Sequence, residues 1–389
     1  MSAAADEALL TRAARLADER VAPAAPGWSM GAEPDPALFA EAGRAGLFGV
    51  EIPRAEGGLG LSFKVKAALA ERLARVDFGF AMSVINTHNV GLRLAASAPE
   101  ALRRRWLPEL LAGRLHACTA LTEPGAGSDL AAMRTVATRE GAHWRLDGEK
   151  SWIVNARRAG LAIVFAQCGA PGDVAGIGAF AVDLAAEGAR RRAIDAPFAL
   201  TSIGAGAIAL TGVRVPEDHL LLPPGAAFGA IMNEINGARA YVAAMCCGML
   251  AEALDRAAAH GAARRVFGKP LRAHPAWAAE LARAAAALEA ARALTARAVE
   301  AVAAGRDAQL VAAEAKIVAV ETCQRALPEL LHAMGAKGLE ADQPFSRHLA
   351  ATQMAGLADG ATWLLRARAA RLRLREAPAR AAATEQDEG

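Results

Sequence analysis

LTEPGAGSD, residues 121 to 129, sets Thr122, Glu123, Pro124, Gly125, Gly127, Ser128 and Asp129 directly after the apolar-leaning stretch 117–120. Such a loop could cradle a phosphate, because Gly125-Ala126-Gly127 after a strand-like segment has the opening of a dinucleotide-binding fingerprint. That fingerprint needs a third glycine, and Leu130 stands in its place. Two readings remain. One is a tight turn in which Asp129 caps a following helix. The other is a wall whose small residues let a flat ligand lie against the backbone. A second segment, GEKSWIVN (148–155), follows about one hairpin later. Its Trp152, on an alternating strand, reads most simply as a core aromatic.

The elements that must carry these segments follow from hydrophobic period. From Asp6 to about Leu111 apolar residues fall at helical spacing, as in Leu9, Ala13, Leu16 and Ala17, with breaks at Pro23, Pro26, Pro34 and Pro36. Between His116 and about Leu222 the period becomes two, and Asp147-Gly148 between alternating residues signals a hairpin. From Ala226 the helical period returns in segments long enough for a bundle, broken at Gly261, Gly268, Gly305 and Gly335. The order helices, strands, helices excludes a doubly wound sheet, in which the two alternate throughout. The expected domains are 1–115, helical, 116–222, β, and 223–389, helical. The tail from Glu376 is expected to fray.

At 389 residues and 54% hydrophobic content the chain can bury a large core. A net charge of +3, with arginines scattered along helices, gives no basis for nucleic-acid binding. Cys118, Cys168, Cys246, Cys247 and Cys323 show no metal-ligand spacing, and five suit reduced thiols in the cytoplasm, so neither disulfides nor a metal is expected. The N-terminus lacks the order of a secretion signal. The uncharged run Ala196 to Val213 is interrupted by Thr201, Ser202, Gly204, Gly206, Thr211 and Gly212, and reads as strands joined by turns, not as a membrane span.

Together LTEPGAGSD and GEKSWIVN resemble the flavin-contacting signatures TEPxAGSD and GxKxWITN of the acyl-CoA dehydrogenase family. GLFGVEIPRAEGGLG (46–60), VRVP (213–216) and RRVFG (264–268) extend the resemblance over nearly the whole chain. It implies an α+β multidomain fold: an N-terminal helical domain, a central β-barrel and a C-terminal four-helix bundle. It also implies FAD between the domains, assembly as a homotetramer or homodimer, an acyl-CoA substrate and an electron-transfer flavoprotein as acceptor.

The resemblance implies residue roles as well. Thr119, Leu121 and Thr122 fall where the family meets the isoalloxazine edge, with Gly127 beside them, and Ser128 where it touches flavin or the pantetheine arm. Trp152 would stack beside the ring. Val154 replaces the usual threonine, leaving a backbone amide to serve. Arg264 and Phe267 occupy the RxxFG motif, whose arginine reaches the FAD of a neighbouring subunit, and His332 and Gly335 lie in a stretch that looks like a second contact with it. The base is usually a glutamate in an EGT motif; here Asp359 precedes Gly360 and Ala361 in LADGATWLLR, and a helix N-cap is its structural alternative. The alternative seat for a base, before Arg239, holds Ala238. Arg239 would lie close to the base, and Glu234 is a distant second candidate.

Departures are visible too. Arg347-His348-Leu349 lies twelve residues ahead of Asp359, where the family has RDA nine ahead, which implies an insertion or a remodelled pocket rim. TSIGAGAIAL (201–210) lacks the usual arginine and serine. An oxidase or monooxygenase, a carrier-protein thioester dehydrogenase, and a non-catalytic descendant on the same fold therefore stay open beside the dehydrogenase.

Overall fold

The computed structural model describes residues 3–196 and 201–387, with side chains through 375. The N-terminal helices are α1 (Ala3–Leu16), α2 (Ala22–Ser29), α3 (Pro36–Arg44), α4 (Phe63–Ala74), α5 (Phe78–Ser97) and α6 (Glu100–Leu111). A π-helical turn, Ala17–Val21, joins the first two; of the expected proline breaks, Pro36 starts α3 and Pro34 lies in a loop, whereas Pro23 sits in the first turn of α2 and Pro26 inside it, so neither breaks the helix. Asp77 caps α5 by accepting from the Phe80 amide at 2.7 Å.

The β region holds β1 (Ala117–Ala120), β2 (Val136–Glu140), β3 (His143–Ile153), β4 (Leu161–Gln167), β5 (Ile177–Asp183), β6 (Ala189–Ala193), β7 (Gly206–Pro216) and β8 (Leu220–Leu222). They form one sheet in the order β6-β7-β3-β2-β4-β5-β8, with β1 parallel to β4. The expected barrel does not close among the described residues: β6 and β8 end the order without pairing to each other. The edges explain this. β6 is ARRRA with its three arginines exposed, and β8 is only three residues long, so neither offers a long flat ladder. Part of the run expected as strands, 197–200, lies outside the described residues. Thr201–Ile203 is a 3-10 turn and Gly206 begins β7.

The C-terminal helices are α7 (Ala227–Ala263), α8 (Pro275–Ala303), α9 (Gln309–Met334), α10 (Phe345–Leu357) and α11 (Thr362–Asp387), with a small hairpin of β9 (Arg265–Val266) and β10 (Lys269–Pro270) after α7. The backbone of α11 continues through the tail that was expected to fray, whose side chains lie outside the described residues. The middle of α7, from Asn236 to Leu250, is continuously buried, because α4, α8 and α9 all pack on it. Gly248 allows a close approach of α4: a Cβ there would sit 2.2 Å from the Glu71 carbonyl oxygen. No described helix is long and apolar enough to cross a membrane.

Candidate functional site

The two quoted motifs meet. Ser151 donates its amide to the Thr122 carbonyl at 2.9 Å, and Lys150 Nζ donates to Glu123 Oε1 at 2.8 Å and to the Leu121 carbonyl at 3.0 Å. The Glu123 carboxylate also accepts the amides of Thr135 and Arg134, at 2.9 and 2.7 Å. Burial alone would raise this carboxyl; the Lys150 charge and these hydrogen bonds overcome it and hold it below its ordinary value. Burial pulls Lys150 down to about 8, with Glu123 opposing. Glu123 and Lys150 thus act as a bracket under the loop.

Asn155, the last residue of the second segment, is buried and joins it to α5 and β1. Its Nδ2 donates to the Ser83 carbonyl, Thr87 Oγ1 and the Ala117 carbonyl at 2.9, 3.0 and 3.1 Å, and its Oδ1 accepts from Ser83 Oγ. This polar satisfaction supports a left-handed backbone, φ 67°, which an asparagine tolerates.

Four non-glycine residues among those described have positive φ: Trp152, Asn155, Phe267 and Asp359. Every one lies in a motif singled out from the sequence. Such conformations cost of order 1–3 kcal/mol each and persist where surrounding structure imposes them. Trp152 lies within a register shift of the β3–β7 pairing, between Lys150 and Ile153, and turns outward, 58% exposed, so it is not a core aromatic.

Around Trp152 the chain leaves room. A Cβ on Gly125 would meet nothing within 4 Å, and one on Gly127 only the Thr122 methyl at 3.8 Å; neither has positive φ. The protein's own packing does not demand glycine at either position. An exposed indole, an open small-residue loop, and half-buried Thr119, Leu121 and Thr122 fit a flat aromatic cofactor. Ser128 is exposed on the same loop, and Val154 is half-buried against the helical core.

On the other side of α5 lies Asp359, in the turn between α10 and α11. Asn89 of α5 donates to the Tyr241 hydroxyl of α7 at 3.3 Å, and Tyr241 in turn feels the Asp359 charge. Ser83, which bonds Asn155, and Asn89, which bonds Tyr241, are six residues apart on α5, about 9 Å along the helix, so α5 carries contacts to both regions. Asp359 has φ 52° and is followed by Gly360 at 98°. Its carboxylate has no hydrogen-bond partner among the described residues, and α11 begins only at Thr362. Burial raises Asp359 above the ordinary carboxylate value, with Lys316 and Arg239 acting in the opposite direction.

Arg239 Nε donates to the Asp359 carbonyl at 3.0 Å and its Nη1 to Asn236 at 2.8 Å. Burial lowers Arg239 to about 10, with Arg368 adding to the effect. Glu234 is already paired with Arg93. Ala361, beside Gly360, is buried. Arg347 lies away from this turn: its Nε donates to the Val76 carbonyl at 2.9 Å, and His348 Nε2 donates to the Arg75 carbonyl at 3.1 Å, docking α10 onto the α4–α5 junction.

Arg264, Phe267, His332 and Gly335 are not brought to this place. Arg239 and Arg264 stand 25 residues apart on or just beyond α7, about 37 Å. All four are exposed at the far end of the bundle, where Phe267-Gly268 makes a two-residue turn between β9 and β10. Trp277 packs against Gly261 and donates to the Ala333 carbonyl at 2.9 Å, tying that hairpin region to the end of α9.

Sequence reading missed the pairing of Glu123 with Lys150, the hydrogen-bond hub at Asn155, and Lys316. The first had a signal, an acid and a base inside the two motifs. Lys316 stood alone in an alanine-rich helix.

Three family models cover most of the chain: the acyl-CoA dehydrogenase N-terminal domain at residues 4–114, its middle domain at 118–213 and its C-terminal domain at 226–373. The human mitochondrial short-chain specific acyl-CoA dehydrogenase is 30% identical over 326 residues, 83% of this chain and 79% of the relative. Subunit CarC of the caffeyl-CoA reductase-Etf complex of Acetobacterium woodii is 30% identical over 295 residues, 75% of this chain and 78% of its own length. The solved butyryl-CoA dehydrogenase from Megasphaera elsdenii superposes with a TM-score of 0.90 at 25% identity, covering 96% of this chain and 99% of that one.

Proposed function

The chain belongs to the acyl-CoA dehydrogenase family, and on that premise we propose that Asp359 is the base that removes the proton α to an acyl-CoA thioester carbonyl. The observation that carries this reading is the Asp359 turn: a carboxylate at φ 52°, without a hydrogen-bond partner among the described residues and beside two buried cations, Arg239 and Lys316. Bound FAD supplies the acceptor for the hydride that leaves the β carbon, giving a 2,3-enoyl thioester. Burial brings the base closer to neutral pH, where proton abstraction is more effective, while Arg239 and Lys316 keep it ionised.

In this reading Thr119, Leu121, Thr122, Gly127 and Ser128 hold the ring edge and the substrate arm through hydroxyls and backbone amides. Trp152 covers a ring face, the Val154 amide replaces a side-chain donor, and Ala361 closes the site near the base. Arg239 also borders the substrate. Arg264, Phe267, His332 and Gly335 serve the FAD of a neighbouring subunit in a homotetramer or homodimer, a role supported by their exposure so far from Asp359. The acceptor is an electron-transfer flavoprotein, supported by the relative that is part of a reductase-Etf complex. The enzyme works in the cytoplasm, its domains meeting near residues 115 and 222. Anaerobic titration of the purified yellow protein with a series of acyl-CoA thioesters tests the function. Bleaching of the flavin by one of them supports it, and a flavin that none reduces refutes it.

A further inference from the structure

Three consecutive carbonyls at the α10–α11 turn are each held by a buried cation. Lys316 Nζ, from α9, donates to the Ala358 carbonyl and, at 2.7 Å, to the Gly360 carbonyl. Arg239 Nε, from α7, takes the Asp359 carbonyl between them at 3.0 Å. Lys316 is fully buried two turns into α9, with no carboxylate bonded to it among the described residues. A buried ammonium costs several kcal/mol unless something uses it, and the carbonyls it binds flank the one residue of this turn held at positive φ without being glycine.

Resting on the reading of Asp359 as the base, we propose that Lys316 is a positioning residue: it pins the turn so that the Asp359 carboxylate points at the α carbon, and its charge keeps that carboxylate ionised. The division of labour follows from geometry. Arg239 fixes the middle carbonyl from one helix and Lys316 the two outer ones from another, so rotation of the Asp359 peptide units would break bonds on both sides. The charged and titratable groups around the turn are Arg239 and Tyr241 from α7, Lys316 from α9 and, behind Arg239, Arg368 from α11. Cys246 faces Lys316 from α7. Only Lys316 and Arg239 lower Asp359.

The test compares holoenzymes of Lys316→Met and Lys316→Arg. Lys316→Met is expected to keep its flavin spectrum and to be reduced anaerobically by acyl-CoA about a hundredfold more slowly, the cost of a misplacement of about 1 Å. The acid limb of its pH profile moves to higher pH, because one of two cations favouring the carboxylate is gone. Amide hydrogen exchange in the 357–363 segment speeds up while α9 stays protected. Lys316→Arg recovers much of the rate. Wild-type rate, pH midpoint and exchange in Lys316→Met would overturn the proposal, as would Lys316→Arg being as slow as Lys316→Met with α9 exchanging faster along its length. If Lys316→Met does not fold, Lys316→Gln takes its place with the same expectations and the same refutation. Asp359→Asn separates the two readings. Turnover in that variant removes the base assignment; its inactivity beside a fully active Lys316→Met removes only the positioning role.

Discussion

Glu123 and Lys150, 27 residues apart in sequence, form a buried ion pair at 2.8 Å that locks the LTEPGAGSD loop onto the GEKSWIVN strand. The pair does for the loop what a third glycine and a helix would do in a phosphate-binding turn: it fixes the backbone without filling the space in front of it.

Removing one partner leaves an uncompensated buried charge. Lys150→Met and Glu123→Gln are each expected to cost about 3–5 kcal/mol of stability and to release FAD. Urea unfolding of the single and double variants checks this. The double variant should recover part of the loss, and losses that simply add would show that the two groups are not coupled.

Trp152 and Gly127 separate binding from folding. Trp152 is 58% exposed and Gly127 has space around it, so Trp152→Ala and Gly127→Val should change the stability of the FAD-free protein by under about 0.5 kcal/mol. FAD affinity should fall by about tenfold or more in each. Fluorescence titration of FAD into the stripped protein measures it, and unchanged affinity in both would remove the loop and the indole from the cofactor site.

Stability should fall on mild acidification. Burial pushes His116 down to about 3, with Arg158 adding to it, and lowers His348 well below its ordinary value. Below about pH 6.5 the unfolded chain binds protons on these rings that the folded chain does not, so stability decreases as pH drops from there toward 3. For His116 the loss between pH 7 and pH 5 is about 1–2 kcal/mol. His116→Gln should flatten that part of the profile in urea melts; a profile unaltered by the substitution would contradict the linkage.

The order helices, strands, helices was legible because hydrophobic period changes at two points in the chain, near Leu115 and Leu222. Barrel closure was not, since it depends on whether β6 and β8 meet, and no residue in either records its partner. The loop and Asp359 were singled out through the resemblance of their motifs to those of the family. Lys316 was invisible because its meaning comes from carbonyls 42 and 44 residues away, which only the packing of α9 under the α10–α11 turn brings to it. Arg347 was legible as a departure but not as a tether, for the same reason: its acceptor, the Val76 carbonyl, is 271 residues distant.

As the proposed base, Asp359 takes the α proton. The direct measurement is rapid anaerobic mixing of Asp359→Asn holoenzyme with the acyl-CoA that bleaches the wild-type flavin, following absorbance in the flavin band. The expected result is a normal FAD spectrum, retained binding of the thioester and a reduction rate lower by at least about a thousandfold, in line with loss of a positioned base. Reduction at the wild-type rate would contradict it and send the search for the base to another group.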